Sequence, residues 1–337
     1  MSEETKIFRR ATLASVITST YPMIVVGCYF GITPWNMQRL SIDESDLSYA
    51  ILIFGIFFII SNQVAGRILV PKYGTKLVMT LAFPIVTFSA LLTVISSSYF
   101  YFLLTFISGG IGWGASGPIG GIHSQLIERH FKKIITPYYA MGFNLGILIG
   151  GGLAGLIMRN NYEPYISFTI LSFLSILVSY FVYSFGLPRD LDFKGEGEKF
   201  KFPETNVLLF GFLLFFVFGS GGIIMDWSTL WLSKDLNTPL YLASMGLIFF
   251  SIGGIFANLF SNSLINIFTE KVVGCYFVMI GAVIMFLSLL TNNFYIILAV
   301  LCIYGFAIAN LVPIIIRQAV KQSNESIPMT VTNLITI

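Results

Sequence analysis

Residues 207–230 read VLLFGFLLFFVFGSGGIIMDWSTL, an apolar run with one charged side chain, Asp226. A helix needs about 20 apolar residues to cross a hydrocarbon core about 30 Å thick, and this run is long enough. Backbone groups inside lipid must be satisfied within their own segment, so a helix is the expected structure. The run is too long and too uniformly apolar for the alternating segments of a membrane β-barrel. It therefore predicts a transmembrane helix.

The composition of the whole chain agrees with that prediction. Of the 337 residues, 56% are hydrophobic and 10% are charged, whereas soluble domains carry about 25% charged residues. A soluble fold could not cover so many apolar side chains with a polar surface. We therefore predict an all-α integral membrane protein that is embedded in the lipid bilayer. Cys28, Cys275 and Cys302 lie in apolar runs without metal-site spacing, so we expect neither a metal site nor a cofactor.

Nine other runs resemble the first in length and composition. The ten predicted spans are 11–32, 47–65, 77–95, 99–122, 138–158, 164–187, 207–230, 242–260, 272–290 and 294–316. An eleventh apolar stretch begins near Pro328 and continues to Ile337.

The basic residues divide unevenly between the connectors. With the N-terminus inside, 16 of the 19 Lys and Arg residues fall on the inner side, and Arg39, Arg159 and Lys234 fall on the outer side. Cytoplasmic loops carry such an excess of positive charge. This pattern predicts a cytoplasmic N-terminus, and it places Arg67 in the inner connector after the second span.

The longest polar segment, 189–204, follows the sixth span and is interpreted as a cytoplasmic linker. It would separate an N-terminal half, 1–188, from a C-terminal half, 205–337. The halves resemble each other at a shift of 195 residues. The matched pairs are Lys76 with Lys271, Val78 with Val273, Gly110 with Gly305, and Pro118 with Pro313. Repeats of about six spans are typical of transporters.

The segment GRILVPKYGTKLVM, 66–79, resembles the cytoplasmic loop motif Gly-x-Leu-x-Asp-Arg-x-Gly-Arg-Lys of the major facilitator superfamily. The matching positions are Leu69, Lys72, Gly74 and Lys76. The chain departs from the motif at Arg67, where the family has glycine, and at Pro71, where it has aspartate. The second departure puts in doubt the charge relay that the family's aspartate implies.

The segment GGIIMDWSTLWL, 221–232, is similar to the MosC-like branch of the superfamily, and so are 34–55 and 126–151. The resemblance covers the whole chain. It implies two six-helix halves around a central cavity, of which this chain would have ten complete helices and the start of an eleventh. We therefore interpret the chain as C-terminally truncated.

Asp226 is the only charged side chain inside the ten predicted spans. A charge in hydrocarbon costs about 2.5–3.5 kcal/mol on insertion scales, so such a residue usually faces a cavity or a partner. One interpretation places Asp226 at the wet outer interface beside Trp227. The other has it face the central cavity, where it binds a cation or a proton. The glycines just before it would let the helix bend inward.

Other polar and aromatic side chains inside the spans are candidates for the substrate or proton path. They are Tyr29, Gln63, Trp113, Asn144, Trp227 and Asn310, together with His123, which lies just after the fourth predicted span. Hydrogen bonding between helices is the alternative explanation for each of them. His123 in particular is either a proton site or a histidine that is hydrogen-bonded within the bundle.

A cytoplasmic gating loop is predicted from the motif. Lys72, Gly74 and Lys76 lie in that loop, and Glu128 and Arg129 lie at the inner end of the fourth span. Glu128 and Arg129 are expected either to form a charge pair with the 67–76 segment or to be a solvated helix end.

These observations predict a secondary transporter that moves a small organic solute by alternating access, with a proton as its expected coupling ion. The nucleotide-binding motif of a primary pump is absent from the sequence. A non-transporting remnant remains an alternative, and so does a membrane-embedded enzyme, although two histidines give little support to enzyme chemistry. We expect a monomer in a bacterial or archaeal cytoplasmic membrane that binds no nucleic acid.

Overall fold

The computed structural model describes residues 3–193 and 203–337. Over these residues, ten helices are long and apolar enough to cross a membrane. They are α1 (Glu3–Leu40), α2 (Glu44–Tyr73), α3 (Thr75–Ile95), α4 (Tyr99–Phe131), α5 (Thr136–Arg159), α6 (Pro164–Phe185), α7 (Thr205–Lys234), α8 (Leu240–Leu259), α9 (Ser261–Leu289) and α10 (Phe294–Gln322). A shorter helix, α11 (Ile327–Thr336), follows. The predicted all-α membrane fold and its ten spans are confirmed.

Most of these helices extend beyond the apolar runs that predicted them. Helix α1 begins at Glu3, and α7 continues to Lys234. At 1.5 Å per residue, α7 is about 45 Å long, which exceeds the hydrocarbon thickness by several turns. Their polar ends therefore reach the interfacial regions while remaining helical.

For reference, α1–α6 are called the first group and α7–α11 the second group. The side of the bundle on which α1 begins is the N-terminal side, and the other is the opposite side. Of the predicted linker, residues 194–202 lie outside the described residues, including Lys194, Lys199 and Lys201.

Glycines bring the helices of the first group into close contact. On α5, a Cβ atom at Gly146 or Gly150 would collide with the carbonyl oxygens of Thr20 or Ile24 on α1. On α4, Gly110 approaches the backbone of α2 in the same way. Small residues let helix backbones approach closely in membranes, where the hydrophobic effect does not drive the association of helices.

A backbone feature recurs at the shift that the sequence suggested. Gly74, between α2 and α3, has φ +85° and ψ 161°. Thr269, 195 positions later, has φ +69° and ψ 155° and interrupts α9. This region of backbone space costs a non-glycine residue about 1–3 kcal/mol. Both positions thus make the same sharp turn. Although α9 begins at Ser261, the chain turns from the eighth crossing into the ninth at Thr269.

A pair of side-chain contacts recurs at the same shift. Thr75 and His123 hydrogen-bond through Oγ1 and Nδ1 at 2.7 Å. The positions 195 residues later are Glu270 and Gln318, and there the Gln318 amide donates to the Glu270 carboxylate. Chance matches of apolar residues would not reproduce a contact between two helices, so these contacts support an internal repeat.

Candidate functional site

Asp226 lies on α7, about two turns before the helix ends at Lys234. Asp226 is partly accessible although many protein atoms surround it, which indicates a position inside the bundle. One turn earlier, a Cβ atom at Gly222 would have no neighbour closer than Asp226 Oδ2, at 4.0 Å. Helix α7 continues unbroken through its glycines. Asp226 therefore faces open space within the bundle.

The Asp226 carboxylate forms no hydrogen bond or ion pair with any residue in 3–193 or 203–337. A polar side chain of the first group of helices that senses the charge of Asp226 is Tyr29 on α1. Its hydroxyl and the side-chain nitrogen of Asn36 are both buried without a well-formed hydrogen bond, although the two side chains lie close enough to interact. The hydroxyl is also within electrostatic reach of Asp226. The site thus has one unpaired acid and one hydroxyl whose hydrogen bonding is incomplete, contributed by the two groups of helices.

Aromatic and other apolar side chains surround these two polar groups. The Tyr29 ring lies 6.1 Å from that of Phe30 and 6.3 Å from that of Phe106. Trp113 and Met225 pack on one apolar cluster in the middle of the bundle. Trp227, also a predicted path residue, packs on a cluster with Phe106 toward the opposite side. The wall of the site is therefore mostly aromatic.

The two groups meet on the opposite side of the bundle. Leu230 on α7 is buried in one apolar cluster with Leu47 on α2 and Phe102 on α4. Near the end of α7, Lys234 forms an ion pair with Glu44 at 2.5 Å, and both side chains are about half exposed. An exposed pair of this kind contributes about 0–1 kcal/mol. Apolar contact therefore provides most of the closure on this side.

The two groups also meet on the N-terminal side, where α11 packs against α2. The Asn62 amide donates to the carbonyl of Thr332 at 3.1 Å, and the Gln63 amide donates to the Thr336 hydroxyl. This contact is polar, and it places Gln63 in a closure between groups rather than beside Asp226.

Arg67 belongs to the same contact, which corrects its predicted place in a connector. It lies within α2 and is 6% exposed, and its guanidinium donates to Gln63 and, at 2.6 Å, to the Asn333 side chain. The amide of Asn333 in turn donates to Glu325 at 2.9 Å. Prediction from hydropathy ended the second span too early, because the helix continues past its apolar run.

A π-helical turn, Ala65–Leu69, lies at the departure from the loop motif. Such a turn inserts one extra residue into a helix and shifts the register of what precedes it. Gly66, one position before Arg67, is the residue of this turn that has no room for a side chain. A Cβ atom at Gly66 would collide with the Thr332 side chain on α11.

The predicted gating loop makes its contacts inside the first group. Arg189, after α6, donates to the carbonyls of Pro71 at 3.2 Å and Lys72 at 3.3 Å. The Lys76 ammonium lies 4.6 Å from the ring centre of Tyr183 on α6. A side chain at Gly74 would collide with Asp192 and Arg189. This segment is therefore fastened to the end of α6.

His123 belongs to this same network and not to the site around Asp226. The Leu187 N–H donates to Nε2 at 3.4 Å, which leaves Nδ1 to carry the proton and donate to Thr75. The Thr75 hydroxyl donates to Asp192 at 2.8 Å. His123 is fully buried, and both ring nitrogens have partners, so it is hydrogen-bonded within the bundle.

Glu128 does not form the expected charge pair. Its Oε1 accepts from the backbone N–H groups of Ile135 at 2.7 Å and Thr136 at 2.6 Å. It thereby satisfies free donors at the start of α5, where negative charge is favourable. Arg129 is exposed, and Glu128 forms no ion pair with Lys72 or Lys76 in the described chain.

The two asparagines of the predicted path lie in helix contacts. Asn310 on α10 donates to the carbonyl of Ala257 on α8 at 3.1 Å. Asn144 on α5 donates to the Ala140 carbonyl, and its amide fills the space beside Gly254 on α8. Of the predicted path residues, the structure brings Asp226, Tyr29 and Trp113 to the central site.

Comparison with known proteins agrees with this architecture. The family profile of the Major Facilitator Superfamily matches residues 14–336. The chain belongs to this superfamily of membrane transporters. Within the superfamily, an uncharacterized MFS-type transporter of Yersinia pestis is 21% identical over 311 residues, which covers 91% of this chain and 79% of the relative. Membership of the MosC-like branch stays a prediction.

Two solved structures of the superfamily show the same fold. A D-xylose–proton symporter matches with a TM-score of 0.72 and 14% identity over 99% of this chain and 87% of its own. The nucleoside transporter NupG, crystallised as a point mutant, matches with a TM-score of 0.69 and 14% identity over 96% of this chain and 86% of its own. At such identities the likeness concerns the fold alone.

Proposed function

We propose that this chain is a secondary transporter of a small organic solute and that it works by alternating access. The two groups of helices would be its halves, 1–188 and 205–337, connected by the linker 189–204. A proton bound at Asp226 would couple transport to the proton gradient. In this proposal the N-terminal side is cytoplasmic, in agreement with the distribution of basic residues, and the membrane is a bacterial or archaeal cytoplasmic one.

The observation that carries this proposal is the position of Asp226 between two separate closures. On the N-terminal side, α2 and α11 meet through polar side chains such as Gln63 and Thr336. On the opposite side, α7 meets the first group through Leu230 and through the exposed pair of Lys234 with Glu44. Alternating access requires each closure to open in turn around a fixed site.

The two closures are also of a kind that can open and close again. When a closure opens, its polar side chains replace hydrogen bonds within the protein by hydrogen bonds to water. The net free-energy change is about 0.5–1.5 kcal/mol per hydrogen bond. A difference of a few kcal/mol between two conformations leaves both of them populated to a useful extent. Neither closure contains a disulfide, since the three cysteines are free.

Distances between spin labels on the two groups would test the proposal. Cysteine pairs at Glu44 with Lys234 and at Gln63 with Thr336 would be labelled in a chain whose native cysteines are replaced by serine, and studied by pulsed electron resonance in nanodiscs. We expect two distance populations for each pair. Conditions that lengthen one distance, such as a change of pH, should shorten the other.

The matched control is a label pair within the first group, at the exposed residues Tyr49 and Tyr101. Its distance should stay constant under all conditions. If the two pairs between the groups kept one distance each, or lengthened together, alternating access would be excluded for this chain.

A further inference from the structure

We infer that the solute is an organic cation with apolar or aromatic substituents, and that the Asp226 carboxylate holds its positive charge. This inference rests on the proposed function and names the class of substrate for the same site. It follows from three properties of the site that the family does not specify: an uncompensated acid, an aromatic wall, and a hydroxyl on the facing helix whose hydrogen bonding is incomplete.

The first step concerns charge. Asp226 has no cationic partner in residues 3–193 and 203–337. Basic side chains elsewhere in the described residues have other partners: Arg67 bonds to Asn333, Lys234 pairs with Glu44, Arg317 pairs with Glu270, and Arg39 donates to Asn36. A buried carboxylate must be neutralised by a proton or paired with a cation. The open position opposite Asp226 therefore fits a positively charged ligand and disfavours an anionic one.

The second step concerns the wall of the site. The Tyr29 ring lies within 6.3 Å of the rings of Phe30 and Phe106, and Trp113 and Met225 belong to the same apolar cluster as Phe30. Aromatic faces attract cations, and quaternary ammonium groups are bound in this way. An inorganic ion would leave this apolar surface uncovered, whereas a cation with apolar substituents would cover it.

The third step concerns Tyr29. Its hydroxyl and the Asn36 amide beside it are both buried without a well-formed hydrogen bond, and the hydroxyl is within electrostatic reach of Asp226. An unmade hydrogen bond in a buried place is unfavourable. A polar group of the bound solute would satisfy it. Because Tyr29 lies on α1 and Asp226 on α7, one ligand would contact both halves.

A consequence follows for coupling. A single carboxylate cannot hold a proton and a cation at the same time, so the two would compete at Asp226. Among the described residues, Tyr29 is a titratable group on which this carboxylate acts, while Glu44 and Lys234 are paired with each other at the opposite side. Competition at one site makes exchange of one proton for one cation the natural stoichiometry.

The test is a binding measurement on the purified 337-residue chain in nanodiscs. Benzyltrimethylammonium and tetraphenylphosphonium serve as permanent cations, and phenylmethanesulfonate serves as the matched aromatic anion. Isothermal titration calorimetry should show saturable binding of at least one cation and none of the anion. Asp226→Asn should weaken that binding at least tenfold, and Asp226→Glu, which keeps the charge, should weaken it less than threefold.

The pH dependence gives a second readout. Once the carboxylate begins to take up protons, each further unit of decrease in pH should raise the apparent Kd of the cation about tenfold in the unmodified chain. In Asp226→Asn the Kd should not change with pH. Size-exclusion profiles identical to that of the unmodified chain would show that both variants are folded.

Three results would each overturn the inference: saturable binding of the anion as tight as that of the cation, equal cation binding by Asp226→Asn, or no saturable binding of either cation. These outcomes are separable from failure of the proposed function, which is judged by the spin-label distances. If the distances alternate but the cation does not bind at Asp226, only the substrate class is wrong. If the cation binds and the distances stay fixed, the transport mechanism is wrong.

Discussion

Replacing Gly150 with leucine should prevent the chain from accumulating as a folded, monodisperse protein. A Cβ atom at this position of α5 would collide with backbone atoms of α1, at the Ile24 carbonyl and the Cys28 nitrogen. Backbone cannot move aside as a flexible side chain can, so the two helices would have to separate. Overpacking in a protein core typically costs about 1–3 kcal/mol, and collision with backbone lies at or beyond the upper end.

The matched control is Gly152→Leu in the same helix. A Cβ atom at Gly152 has no neighbour within 4 Å, so the larger side chain has open space. Fluorescence-detected size-exclusion chromatography of tagged variants in detergent would compare the two. We expect a normal monodisperse peak for Gly152→Leu and a loss of more than tenfold in that peak for Gly150→Leu. Equal peaks would show that α1 and α5 do not pack as described.

Replacing Gly66 with leucine should hold the N-terminal side of the bundle open without unfolding the chain. The new side chain would occupy the space that Thr332 of α11 fills when α2 and α11 are in contact. The collision arises only in the conformation that is closed on this side, so it penalises one state of the transporter and not the fold. A penalty of about 5.5 kcal/mol is enough to move a population from 99:1 to 1:99.

The spin-label pair at Gln63 and Thr336 would report this change directly. We expect its long distance to exceed roughly 90% of the population in Gly66→Leu, with transport reduced at least a hundredfold. Gly55→Leu, in the same helix, has no neighbour within 4 Å and should behave like the unmodified chain. An unchanged distance distribution in Gly66→Leu would contradict the assignment of this contact as a closure.

The fold could be predicted from the sequence because membrane helices can be recognised locally. Each apolar run is long enough to be identified alone, and the basic connectors order the runs. The predicted ends of the helices are less accurate, since a helix such as α2 continues past its apolar run through Arg67. Hydropathy cannot detect that continuation because helices in the interfacial region no longer need apolar residues.

The central site was only partly predictable. Asp226 could be found because a lone charge in an apolar run is conspicuous, and Tyr29 and Trp113 were among the candidates. Arg189 and Asp192 were missed, since they lie in a polar segment where charge is ordinary. Their partners are more than 100 residues away in sequence. Without knowledge of which helices are neighbours, no local pattern distinguishes such residues.

The closure between α2 and α11 was missed for a similar reason. The sequence predicts Gln63 in the substrate path, and alignment with the family motif shows Arg67 only as a departure from it. The π-helical turn at 65–69 shifts the register by one residue, so that Gly66 makes the close contact and Arg67 reaches Asn333. A one-residue shift of this kind is invisible when the motif is aligned without its backbone.

Alternating access requires that the site around Asp226 opens to each side of the membrane in turn. A single cysteine at Gly222, where a Cβ atom has no neighbour closer than 4.0 Å, would report it in a chain without its native cysteines. A membrane-impermeant thiol reagent would be added to sealed vesicles of each orientation. In the otherwise unmodified background, we expect the cysteine to react from both sides. In Gly66→Leu we expect it to react faster from the N-terminal side and more slowly from the opposite side. Reaction from one side only in the unmodified background, or rates that rise together in the variant, would contradict it.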